Sequence, residues 1–309
     1  IAQECFFKQE TVCKDLEGGG GVPLRRIEDL EAIYDSSRVG NLPLLRCYAG
    51  TNDLINWASM LKETIGNAWG AIPLFWYSEL DGRSKRDLVS AINENQQTIK
   101  WHAENDVPVE INDSHQWGLR KTTDPIEVAS AFIATYNAKN LGVRHYIQQF
   151  MLNVPPEISP EMDIAKMLAK LEIISELSSE DFTIMRMIRT GLTSLSVDED
   201  IAKGEPASSI TIGMYLKPHI VHVVGYSEAY NVATPEVIIE SSKIARGVIK
   251  NCLKGLPGID DNRKIIERKD QIINDTKIIL NAITKGRITQ KDSKLTGNFK
   301  TIKIKIVSP

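Results

Sequence analysis

The chain has 309 residues, 42% hydrophobic and 25% charged, with a formal net charge of −3. That composition belongs to a globular protein with a large core, and it excludes a basic field able to hold a nucleic-acid backbone. The longest apolar runs, such as AIPLFWY, are far short of a membrane span, and the opening residues IAQECFFKQETVCKD are too polar for a secretion signal, so a cytoplasmic location is expected.

Residues 1–21 read as a flexible N-terminal segment closed by the run Gly18 to Gly21, which no Gly-Lys-Ser/Thr follows, so a phosphate loop is not expected there. Ile27, Leu30, Ile33 and Tyr34 recur at helical spacing. Apolar runs that end in polar residues then follow at about 42–48, 71–77, 107–112, 143–149, 182–188 and 219–224. Helical patterns fill the gaps. Asp124-Pro125, Ser159-Pro160 and Thr234-Pro235 each pair a capping side chain with a first-turn proline. A last helix is expected over about 262–284, and FKTIKIKIVSP alternates like a solvated edge strand. The pattern predicts an α/β protein, a TIM-like (β/α) barrel over 22–285, with a C-terminal extension over 286–309. Six β/α units leave an eight-stranded barrel two short, so either the N-terminal residues supply the rest poorly, or the chain is a fragment, or the barrel is incomplete.

In such folds ligands bind at the carboxyl ends of the strands. Arg46 and Tyr48 follow the first run, Glu110, Asn112 and His115 the third, Gln148 the fourth, Arg186 and Arg189 the fifth, and Tyr226 and Glu228 the sixth. Guanidinium forks suit a carboxylate or phosphate. Ordinary salt bridging at a barrel mouth would use the same residue types. Cys47 at a strand end is either buried filler or a nucleophile. Asp113-Ser114-His115-Gln116-Trp117-Gly118 has the spacing D-x-H-x-x-G, similar to the cobalamin-binding motif in which the histidine ligates cobalt and the aspartate orients it. A barrel-mouth histidine is the competing reading. No C-x-x-C pair or clustered histidine spacing points to another metal.

The order NLPLLRCYAGTND, GNAWGAIPLFWYSE, VPVEIND, NAKNLGVRHYIQQF and HIVHVVGYSEAYNVATPEVIIESSKIARGVIKNCLKGLPGID resembles the large subunit of glutamate mutase, the methylaspartate mutase E family, from about Gly21 to Leu280. The resemblance implies a barrel that works with adenosylcobalamin and a small cobalamin-binding subunit, and that rearranges a carbon skeleton through an adenosyl radical. It implies a substrate carboxylate on Arg46, with Tyr48 competing for that place, and the cofactor's ribose on Glu228. Arg186 and Arg189 are the alternative carboxylate holders; Glu110, Asn112 and Gln148 join the substrate site, and Tyr226 and His115 the cofactor side, from their strand-end placement. Ala68 and Leu74 stand where the family has a glutamate and a tyrosine for the substrate, and Val224 where it has a lysine. Those replacements imply a small carboxylate or amino acid other than glutamate. Two other classes remain open, a subunit that serves as scaffold without chemistry and a barrel lyase or aldolase that uses no cobalamin. No lysine stands at a predicted strand end, which counts against a Schiff base.

Overall fold

The computed structural model describes residues 24, 26–48, 53–82 and 84–285. The expected N-terminal segment, the Gly50 turn and the C-terminal extension lie outside the described residues.

Helices α1 (Ile27–Ser37) and α2 (Leu54–Ile65) precede β1 (Gly70–Ile72), α3 (Leu88–Glu104) and β2 (Val109–Ile111). Then come α4 (Asp113–Leu119), α5 (Asp124–Asn140), β3 (His145–Leu152), α6 (Pro160–Ser175), β4 (Thr183–Thr190), α7 (Glu199–Gly213), β5 (Ile220–His222), α8 (Pro235–Cys252) and α9 (Arg263–Lys285). The strands form one sheet in the order β1-β2-β3-β4-β5, and the registered pairs are parallel. Spatial order follows chain order, without the reversal of a doubly wound sheet.

The expected first strand, 42–48, contributes one bridge, Tyr48 to Ala71. Two of its other backbone groups bond to the segment before β1. Leu45 O accepts from the Ala68 N–H at 2.7 Å, and the Cys47 N–H donates to Asn67 Oδ1 at 3.0 Å. Pro43 has no N–H to offer a ladder, and Leu42 has a left-handed φ of 50°.

The chain divides into two compact units. The first holds Ile1–Asp113, Ala134–Gln148 and Ser178–Ile184 so far as these are described. Here Leu30 of α1 packs with Trp57, Met60, Leu61 and Ile65 of α2, and Leu45 and Cys47 close over them. The second holds Ser114–Ile133, Gln149–Leu177 and Met185–Pro309, again so far as described. Its core sets Val128 of α5 against Ala169 and Ile173 of α6 and Ile272 and Ile273 of α9.

Capping side chains place four of the described helices. The Asp87 carboxylate takes the Ser90 N–H at the head of α3, Ser159 Oγ the Met162 N–H of α6, and Thr234 Oγ1 the Val237 N–H of α8. Helix α7 has no counterpart in the hydrophobic pattern because Pro206 interrupts its interior. Its signal is the cap, where Asp198 accepts from the Asp200 and Ile201 N–H groups ahead of an acidic first turn. Among the described residues no helix is long and apolar enough to cross a membrane.

Candidate functional site

Register puts the site together in the first unit. Tyr48 is level with Ala71, and Ala71 is level with Glu110. Side chains alternate along a strand, so Arg46 and Tyr48 share one face with Glu110 and Asn112. Cys47 turns to the other face, against the α1–α2 core. Burial pushes its thiol up to about 11, which keeps it protonated and argues against a nucleophile.

Arg46 Nη2 donates to Glu110 Oε2 at 2.7 Å, and Trp69 Nε1 donates to the same oxygen at 2.8 Å. The guanidinium carbon stands 5.5 Å from the Tyr48 ring centre and 5.6 Å from that of Trp69. Glu110 is fully buried and Asn112 is 3% exposed. Four polar atoms of this group have no hydrogen-bond partner: Arg46 Nε, Tyr48 Oη, Glu110 Oε1 and Asn112 Oδ1. Two of them are acceptors, one is a donor, and the phenol can be either. Burial holds the Tyr48 hydroxyl well above its usual range, so it stays protonated at neutral pH. The Asn112 amide approaches it without closing a bond of normal geometry.

The turn after β1 packs beside this group. Leu74 N–H and Phe75 N–H donate to the two carboxylate oxygens of Asp113 at 2.6 and 2.7 Å. Burial raises Asp113 to about 7, against the pull of those two bonds. Asn95 Nδ2 donates to Leu74 O, and Ser78 Oγ donates to Phe75 O. The turn carries Tyr77, whose φ is 59° and whose ring centre lies 6.0 Å from that of Tyr48. Tyr77 follows the second apolar run of the sequence, and Trp69 stands outside the sequence-based site.

Gln148 belongs to the opposite face. It alternates with Ile147, which is level with Glu110, and its Oε1 lies 3.5 Å from Thr135 Oγ1 of α5 and 3.4 Å from the Tyr146 hydroxyl. The remaining sequence candidates lie in the second unit. Arg186 donates from Nε and Nη2 to Lys217 O at 3.0 and 2.8 Å, pinning the approach to β5. Arg189 is three residues further on, hence on the other face of β4, level with His222. The Tyr226 hydroxyl donates to Glu240 Oε2 at 2.7 Å and lies 3.1 Å from Glu199 Oε1, which ties it to α8 and α7. Glu228 is exposed and accepts the Gly225 N–H at 2.7 Å. His115 is 3% exposed within α4, with Nε2 3.4 Å from Gln116 Nε2. The aspartate of its motif is engaged with the β1 turn instead.

A second buried charge cluster fills the second unit. Glu127 of α5 meets Lys166 Nζ at 3.2 Å through Oε2 and Lys170 Nζ through Oε1. Lys166 also donates to Val154 O, just past β3, so an amine does reach a strand end, from a helix. Asp163 accepts the Asn153 N–H and lies 3.9 Å from Lys166 Nζ. Burial alone would push Glu127 up, but the two ammonium groups hold it below its usual range. Burial raises Asp163 to about 6 and lowers Lys170.

Among the described residues no cluster of histidine, cysteine and acidic side chains is placed to hold a metal ion. Compared with protein-family models and with characterised proteins, the chain matches none of either.

Proposed function

We propose that the chain is the substrate-binding β/α-barrel component of a carbon-skeleton isomerase of the glutamate mutase type, and that it takes a small carboxylate or amino acid at Arg46, Tyr48, Glu110 and Asn112. The observation that carries this reading is the set of four buried polar atoms left without partners on one sheet face. A buried polar group without a hydrogen bond costs about 1–3 kcal/mol, so such a set is retained where a ligand completes it. Arg46 Nε suits a carboxylate oxygen, while Glu110 Oε1 and Asn112 Oδ1 suit an ammonium or hydroxyl. The opposite face meets the helices through Gln148 and Thr135, which supports placing the site on the inner face of a barrel.

Adenosylcobalamin would supply radical initiation in that family. Of the residues assigned to it, Glu228 is exposed and available. Tyr226 is committed to two carboxylates and His115 is buried in a helix, and neither fits contact with the group. The reading therefore rests on the substrate site, with the corrin held by the small partner subunit.

The test is calorimetric titration of the chain with small carboxylic acids, with and without an α-amino group. At least one is expected to bind saturably, and Arg46→Lys is expected to weaken it at least about tenfold, since an ammonium cannot reproduce the fork. Binding that is indifferent to Arg46→Lys, or no binding to the folded chain, overturns the assignment. Corrin absorbance with the small subunit present reads the cofactor half separately.

A further inference from the structure

Three features beyond the four open atoms bear on what the ligand looks like. The first is charge. Among the described residues, the ion pairs and ring contacts of this cluster bring one cation to it, Arg46, and Glu110 already engages its Nη2. Arg86 is paired with Glu94, and Arg144 with Asp106. A second ligand carboxylate would be buried among phenols and an amide without a counter-charge, which is strongly unfavourable.

The second feature is the ring set. Tyr48, Trp69 and Tyr77 flank the guanidinium or one another at 5.5, 5.6 and 6.0 Å between centres. Flat, partly apolar walls of this kind take an apolar body and leave the hydrogen bonds to the ligand's polar end.

The third is the way Tyr77 is presented. Residues 71–76 and Ser78 are buried, and Tyr77 alone in that turn is partly exposed. It is held in a left-handed backbone at φ 59°, where a bulky side chain is a genuine outlier. Such strain persists where the surroundings over-determine it, and it clusters at ligand sites. Here the surroundings are the two Asp113 bonds, the Asn95 bond and the Ser78 bond. Glycine would hold the turn at no steric cost.

We infer that the Arg46 site takes a ligand with one carboxylate and an apolar or aromatic body lying against Tyr77. This rests on the reading above and narrows it, since it sets dicarboxylates aside. Tyr77 is then the residue that grades ligands by the size of their apolar part.

The experiment is competitive calorimetry with alanine, leucine, phenylalanine, aspartate and glutamate, on the full chain and on Tyr77→Gly. That substitution suits the backbone, and far-UV circular dichroism verifies that it folds. Leucine or phenylalanine is expected to bind at least about tenfold more tightly than glutamate, the scale set by a few buried methylenes and one uncompensated charge. Tyr77→Gly is expected to lower the leucine-to-alanine affinity ratio at least about fivefold. Tighter binding of glutamate or aspartate overturns this inference and leaves the carboxylate site standing. An unchanged ratio in Tyr77→Gly also overturns it. If none of the five binds, the inference fails together with the reading beneath it.

Discussion

The two units each bury a charge cluster, and the clusters are finished to different degrees. In the second unit two ammonium groups converge on Glu127 and pair both of its oxygens, Lys166 also donates to a backbone carbonyl, and Asp163 Oδ1 is the atom left without a hydrogen-bond partner. In the first unit Arg46 and Glu110 meet through one atom each, and each keeps a second atom without a partner. A cluster whose central charge is paired through both oxygens specifies a fold, and the four open atoms around Arg46 and Glu110 are what the proposed ligand would complete.

Removing the centre of the second unit's cluster should have the largest effect. Glu127→Ala strands two fully buried lysines and is expected to cost about 3–5 kcal/mol in urea unfolding. A loss under about 1 kcal/mol would mean that the lysines already reach water, and the contrast between the clusters would fail.

The same network carries a pH signature. Asp163 titrates at about 6 in the folded chain and at the usual 3.8 when unfolded, so the folded state binds its proton more tightly. Lowering the pH through about 6 should stabilise the wild type relative to Asp163→Asn, by about 2 kcal/mol between pH 8 and pH 4.5. Glu127 has the opposite sign, and its contribution is lost as pH falls from the usual 4.5 of the unfolded chain through its depressed folded value. Parallel stability profiles for the two proteins would show that Asp163 is not the buried group it is taken for.

The smallest effect sharpens the open cluster. Tyr48→Phe removes a hydroxyl that has no partner, so the free protein should be unchanged or more stable by up to about 1 kcal/mol. The same change should weaken carboxylate binding several-fold. A clear loss of stability in the absence of ligand would mean that the hydroxyl is already satisfied.

Period two made the heart of the site legible. Arg46 and Tyr48, and Glu110 and Asn112, are two apart and share a face. The same rule separates Arg186 from Arg189, and it sends Gln148 to the helices behind the sheet. Trp69 escaped because its role comes from a contact, and the left-handed backbone of Tyr77, a strand-end residue in the sequence, leaves no trace in hydropathy. Capping side chains placed α6 and α8, while Asp124, read as a cap, is the first residue of α5 itself; 42–48 has a strand's composition and lacks its ladder, with Pro43 offering no N–H and Leu45 and Cys47 bonded to the segment before β1. Closure into a barrel is a property of partners on both sheet edges, which no single β/α unit encodes.

The Arg46–Glu110 pair also bears on how a ligand arrives. Opposite charges 2.7 Å apart cancel at a distance, so they cast little field beyond the pair itself. Capture then depends on collision and fit rather than on attraction from afar. The association rate constant should barely move between low and high ionic strength, and selectivity should reside in how slowly the matched ligand leaves.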